Sequence, residues 1–267
     1  MIYRVLGALC AGLIACTAQA ADTMRMAVTT SFHNSGLAEV LLPEIRADLD
    51  LEVQLLVVGT GQALKLGRAG DVDAILVHSR SAEDAFVADG FAPHRREIMY
   101  NDFVFVGPSD DPAEIGSATS AAESLKKIES TAASFVSRGD DSGTHKKELS
   151  LWSRAGVTPE GSWYKPVGAG MGAALNTASG LNAYVLSDRA SWLNFGNKGD
   201  LALLYSGDPV LFNQYAFLPV SVEKHGHVKA DLAAKLEAWL TGPRAAELIN
   251  GYQIGGETLF VFNATSP

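Results

Sequence analysis

Tyr100-Asn101-Asp102-Phe103-Val104-Phe105-Val106-Gly107-Pro108 is an extended run of aromatic and β-branched residues without a helical period. A second run of the same character, Asn213-Gln214-Tyr215-Ala216-Phe217-Leu218-Pro219-Val220, returns much later in the chain. Residues of this kind suit a pleated, buried surface. Before and between the two runs, short apolar stretches alternate with helical segments, which is the pattern of α/β layers. Two strand-like crossings around such a block read as two lobes, the second inserted into the first. Lobe 1 is expected from residues 21–104 and 216–267, and lobe 2 from 105–215.

Within lobe 1 the expected order is a strand at 24–29, a polar loop at 30–36, and a helix at 37–49 that kinks or restarts at Pro43. A strand at 51–58, the Gly59-Thr60-Gly61 turn with a helix to 69, a strand at 74–78 and a helix at 81–90 follow. A last helix is expected from about 228 to 240. Loops at the C-terminal ends of such strands face one another across a cleft, where open α/β sheets place their ligands.

Composition narrows what such a cleft can do. With 267 residues and 47% hydrophobic content the chain can bury a large core. Its formal net charge of −9 supplies no basic stripe for nucleic acid, so none is expected as a partner. The first twenty residues, MIYRVLGALCAGLIACTAQA, combine Arg4, an apolar run and an Ala18-Gln19-Ala20 site, the pattern of a secretory signal peptide. The alternative is a lipoprotein box ending on Cys16. Both cysteines, Cys10 and Cys16, lie in this segment, so the exported chain has no thiol for disulfides, metals or nucleophilic catalysis. No histidine pair shows metal-ligand spacing, and His225-Gly226-His227 reads as a polar turn.

What remains is a set of loops suited to an anion. Ser137-Arg138-Gly139-Asp140-Asp141-Ser142-Gly143-Thr144 joins a strand ending at Ser137 to a helix over 144–155 that Gly156 closes. Unpaired N–H groups and the positive dipole end of a helix start attract an anion, and Arg138 adds a charged fork of donors. Asp140 and Asp141 are expected to hold Arg138 and to cap the helix. Thr29, Thr30 and Ser31 end the first strand as hydroxyl donors, with Asn34 or Ser35 as candidate helix caps. Gly59-Thr60-Gly61-Gln62 opens a helix but lacks both the dinucleotide fingerprint and the P-loop lysine, so it suits a small anion or is only a tight turn. Gly168-Ala169-Gly170-Met171-Gly172 opens another helix and allows the same two readings. An exported hydrolase using His145 or an aspartate near the same pocket is the reading from a different class. No nucleophile and base stand together in the sequence to support it, and no catalytic residue is expected.

The stretches TTSFHNSGLAEVLLP, VVGTGQALKLGRAGDVDAILVHS, YNDFVFVGP, SRGDDSGTHKKELSLW, GAGMGAALNTAS and GDPVLFNQY together span most of the chain. In them the sequence resembles the tungstate-binding periplasmic proteins of ABC importers, of the type II periplasmic binding protein class. The resemblance implies an α/β fold of two lobes, with mixed sheets flanked by helices and a ligand cleft between the lobes. It implies a monomer without catalytic activity or cofactor that takes up tungstate, or else molybdate, and delivers it to a membrane permease. Sulfate and phosphate are the further alternatives. The implied oxyanion-binding residues are Thr30, Ser31, Thr60, Gly61, Arg138, Ser142, Gly143 and Thr144, with Met171 and Gly172 at the third glycine loop. The family shows a longer threonine run before the serine than this chain does, which leaves the direction of the Thr29 side chain open.

Overall fold

Strand β1 (Asp22–Thr29) leads into a short helix α1 (Thr30–Asn34), then α2 (Leu37–Leu49), β2 (Leu51–Val58), α3 (Thr60–Ala69), β3 (Ala74–Val77), α4 (Arg80–Ala88) and the long β4 (Arg96–Pro108). Next come α5 (Ala121–Ser130), β5 (Phe135–Ser137), α6 (Gly143–Ala155), β6 (Tyr164–Pro166), α7 (Met171–Leu181), β7 (Tyr184–Asp188), α8 (Arg189–Asn194) and β8 (Leu201–Tyr205). The chain closes with β9 (Phe212–Pro219), α9 (Ala230–Leu240), α10 (Pro243–Gly251) and the short strands β10 (Gln253–Ile254), β11 (Glu257–Thr258) and β12 (Val261–Phe262). This computed structural model describes residues 21–265. The signal-peptide reading of residues 1–20 and the alternative at Cys16 lie outside the described residues.

The strands follow the order β2-β1-β3-β9-β4-β7-β5-β6. β1 runs parallel to β2 and β3, and β5 parallel to β6 and β7, while β4 is antiparallel to β9, β7 and β8. β4 links the two groups of parallel strands. Its first half, Arg96 to Asp102, pairs with β9, and its second half, from Phe103 on, pairs with β7 and β8.

The buried residues sort by the two-residue period of a strand. Met24, Met26 and Val28 of β1 enter one core and Ala27 the core on the opposite face; Tyr215 and Phe217 of β9 likewise alternate with Ala216 and Leu218. Past the crossing, Phe103 and Phe105 of β4 pack with Phe135 and Trp152, whereas Val104 and Val106 pack with Val136 and Leu175. Helices cover both faces, which is why these strands read as unbroken apolar runs rather than as alternating ones.

Two local expectations change. Residues 30–34 form a helical turn, not a loop, because the Thr29 hydroxyl accepts the Phe32 N–H at 3.2 Å and starts it. The polar side chains of Ser31, His33 and Asn34 hide this turn from an apolar-periodicity reading. Helix α2 runs through Pro43 without a break. Pro43 stands on the exposed face, where water can satisfy the carbonyl its ring leaves unpaired. The His225-Gly226-His227 turn closes the end of α3, with the Nε2 atoms of His225 and His227 at 3.0 Å from the Arg68 carbonyl and 2.8 Å from that of Gly70.

Glu148 on α6 is 2% exposed and accepts the Tyr164 hydroxyl proton at 2.7 Å. Burial pushes its carboxyl up from 4.5 to about 7, against the hydrogen bond from Tyr164. The folded state therefore holds this proton more tightly than the unfolded chain. The contribution is full below about pH 4.5 and is lost as pH rises toward about 7. Urea unfolding at a series of pH values should show Glu148→Gln losing less stability than the parent chain across that window. Equal losses would assign the slope to other groups.

Candidate functional site

A cleft of about 610 Å³ opens where the C-terminal ends of β1, β2, β5 and β7 meet the start of α7. Of the sequence candidates, Thr30, Ser31, Thr60, Gly61, Arg138, Ser142, Met171 and Gly172 line it. Gly143 and Thr144 are not among the lining residues. Thr144 is 2% exposed, with its hydroxyl 3.4 Å from Arg138 Nη1, so it supports the arginine from beneath. A Cβ on Gly143 would meet His78 Cε1 at 2.8 Å, so glycine here permits the close approach of α6 to the end of β3.

Each wall is built from a strand end and a helix start. Ser31 is fixed by three neighbours: Thr29 Oγ1 at 3.0 Å, His78 Nε2 at 3.0 Å and the Tyr215 hydroxyl at 3.3 Å. Thr29 is 3% exposed and turns into this network, which answers where its side chain points. Burial lowers the His78 pKa to about 4, so the ring is neutral at ordinary pH and acts as a hydrogen-bonding partner, not as a cation or a competent base.

Helices α3 and α7 begin after Gly59 and Gly170, neither of which brings a capping side chain. The first N–H groups of those helices thus remain available to a ligand. Gly59, Gly61, Gly170 and Gly172 all lack neighbours within 4 Å of a would-be Cβ, and Gly59 and Gly170 have ordinary extended φ values of −76° and −64°. Turn geometry therefore does not demand these glycines; their effect is to keep the cleft wide and its backbone bare. Met171 packs its side chain among Val136 and Leu175, which leaves its backbone for the cleft.

Arg138 is 7% exposed and forms an ion pair with Asp140, Nη2 to Oδ2, at 2.5 Å. Its Nε is buried without a partner among the described residues. The other Asp140 oxygen accepts the Ser142 N–H at 3.2 Å. Burial opposes the charge on Asp140, but hydrogen bonds from Ser142 and Arg138, with the guanidinium charge, hold its carboxyl below the usual range. Capping of α6 falls to Ser142, whose hydroxyl accepts the His145 N–H at 3.3 Å, and not to an aspartate. Asp141 also lines the cleft, with its side chain 87% exposed and 3.5 Å from Lys146.

Beyond the expected oxyanion-binding set, the cleft wall includes Asn34, Gln62, Lys65, Asp188 and Ser191. Asp188 had a legible signal, since an aspartate ends the apolar strand Tyr184–Asp188 where a helix begins. Among the described residues, no group of three or more His, Asp or Glu is placed to hold a metal ion.

A family model described as a PBP superfamily domain matches residues 16–244. The chain is also 42% identical over 250 residues to the tungstate-binding protein TupA of Peptoclostridium acidaminophilum, covering 92% of this chain and 87% of that one. The chain belongs to the PBP superfamily and, within it, to the TupA family. Among solved structures it is similar to the tungstate-binding protein TupA of Desulfovibrio alaskensis G20, with a TM-score of 0.83 at 40% identity over 92% of this chain and 100% of that one. It is similar too to the tungstate ABC transporter structure of Geobacter sulfurreducens, with a TM-score of 0.81 at 50% identity over 88% and 100% of the two chains. Family membership accounts for the α/β plan and for the cleft at the ends of its strands.

Proposed function

We propose that the chain is the substrate-binding component of an ABC importer, which captures tungstate in the periplasm and hands it to a membrane permease. One observation carries the ligand class. The cleft offers hydroxyls from Thr30, Ser31 and Thr60, bare N–H groups at two helix starts and the Arg138 fork, while of its three acids Asp140 has both oxygens engaged, Asp141 pairs with Lys146, and only Asp188 keeps a buried oxygen unpartnered among the described residues. Such a donor-rich cage suits an anion whose oxygens only accept hydrogen bonds. Tungstate and molybdate carry no proton near neutral pH, and the names of the relatives favour tungstate.

In this reading the oxyanion-binding set is Thr30, Ser31, Thr60, Gly61, Arg138, Ser142, Met171 and Gly172, with Thr144 and Gly143 supporting it. The lobes 21–104 with 216–267 and 105–215 close on one ion, because a cleft of about 610 Å³ is far larger than a single tetrahedral oxyanion. The protein acts as a monomer without a cofactor. Molybdate, of nearly the same size and charge, is the second reading.

Calorimetric competition tests this. Tungstate is expected to bind one per chain and to displace molybdate, with sulfate and phosphate much weaker. Tighter binding of phosphate than of tungstate would overturn the assignment.

A further inference from the structure

A donor cage for a dianion has no evident use for a carboxyl group, yet Asp188 is part of its wall. The side chain is 1% exposed, and its two oxygens differ in kind. Oδ1 accepts the Ser191 N–H at 2.9 Å as the N-cap of α8. Oδ2 is buried and has no partner among the described residues. A buried carboxylate oxygen left unpaired is costly, and a dianion arriving beside it would raise that cost by like-charge repulsion. A protonated oxygen at the same place has the opposite effect, since it becomes one more donor.

The surroundings do little to hold Asp188 ionised. Arg138, from the loop after β5, is the cation that faces it, and its charge is shared with Asp140. Arg189, next along the chain, is taken by Asp102 of β4 at 2.6 Å and by Glu257 of β11 at 3.4 Å. On β9 the buried Tyr215 hydroxyl is held well above its ordinary value by burial and by Asp188 itself, and His78 at the end of β3 is neutral. His33 on α1 is exposed, and Lys198 beyond α8 reaches the Leu193 carbonyl at 3.4 Å. On α6, Lys147 is spent on the Val210 carbonyl at 2.9 Å and Glu148 on Tyr164. Lys65 in the cleft wall is exposed to solvent. Burial accordingly pushes the Asp188 carboxyl up, against the Ser191 hydrogen bonds and the Arg138 charge.

Building on the tungstate reading, we propose that Asp188 contacts the ligand: in the complex it carries a proton on Oδ2 and donates it to an oxygen of the bound dianion, so that capture takes up a proton. The balance is simple: carboxylate, one solvent proton and the free dianion give a carboxylic acid hydrogen-bonded to the dianion, with no bond of the anion broken. Hydrogen phosphate would differ, because it brings its own proton to the ionised carboxylate and needs none from solvent.

Titration calorimetry with sodium tungstate, in buffers of different ionisation enthalpy between about pH 6.5 and about pH 9, reads the proton count directly. The expected result is an uptake that approaches about one proton per bound ion within that range, with affinity falling by up to about tenfold per pH unit where it does so. Asp188→Asn keeps the capping oxygen and supplies an N–H donor, so it should bind tungstate with no proton uptake and a flat pH profile. Asp188→Ser, another capping residue without a titration in this range, replaces it if the asparagine variant fails to fold. No uptake by the unmodified chain at any pH in the range would overturn the proposal, and so would the same uptake in the Asp188 variant. Failure of tungstate to bind at all would instead remove the ligand assignment, and the same proton count would then be taken with sulfate, a dianion without a proton.

Discussion

Arg138→Ala is expected to weaken tungstate binding by at least about 1.5 to 3 kcal/mol, the range for a hydrogen bond to a charged group, or roughly tenfold to a hundred-and-fifty-fold in Kd. The loss should lie at or above the top of that range for a reason particular to this site. Arg138 does two things at once: it presents donors to the cleft, and it occupies Oδ2 of Asp140 at 2.5 Å. Removing it takes away a positive charge and exposes a carboxylate in the same wall, against a dianion. Arg138→Lys restores the charge but not the planar fork that can serve Asp140 and a ligand together, so it should recover only part of the loss. The double variant Arg138→Ala, Asp140→Asn should bind better than Arg138→Ala alone, because the uncovered charge is gone. Calorimetry at constant pH and ionic strength, with circular dichroism to confirm folding, checks all three. Equal affinities of the single and double variants would mean that Asp140 has no influence on the cleft.

Trp152→Ala is the substitution expected to cost the most stability, about 3 to 5 kcal/mol. Trp152 is completely buried on α6, edge-on to Phe135 with ring centroids 5.2 Å apart and 5.5 Å from Trp163. Truncation leaves a cavity that aromatic neighbours of fixed shape cannot fill. The loss is a large share of the roughly 5 to 15 kcal/mol that holds a typical domain together. A denaturant midpoint measured with and without tungstate separates this effect from binding: ligand should raise the midpoint of the variant as it does that of the parent. A variant that unfolds at the parent's midpoint would show that this cluster is not central to the core.

The extent to which the site was legible follows from the range of the interactions involved. Ser31, Thr60 and Arg138 were readable because each sits within a few residues of a strand end and a helix start, and those signals are local. Thr29 was not assignable. Its hydroxyl starts the short α1 helix, and its second partner is Ser31, itself held by His78 and Tyr215 from distant parts of the chain. The family resemblance puts Gly143 and Thr144 among the oxyanion-binding residues. The turn of α6 instead buries Thr144 against Arg138 and presses Gly143 against His78. The aspartates show the same division. Adjacent Asp140 and Asp141 part company, one to Arg138 and the other to solvent, and a third acid, Asp188, arrives in the wall from a strand far along the chain.

The sequence by itself determined the α/β class, the long crossing strand and the loops rich in glycine and hydroxyls, because strand runs, helix starts and turns are written in neighbouring residues. Only the tertiary structure decided which donors share one cleft, that His78 stays neutral under Ser31, and that a buried carboxyl with an unpartnered oxygen belongs to the cleft wall. Those outcomes depend on burial and on contacts between residues far apart in the chain, and neither has a local signature.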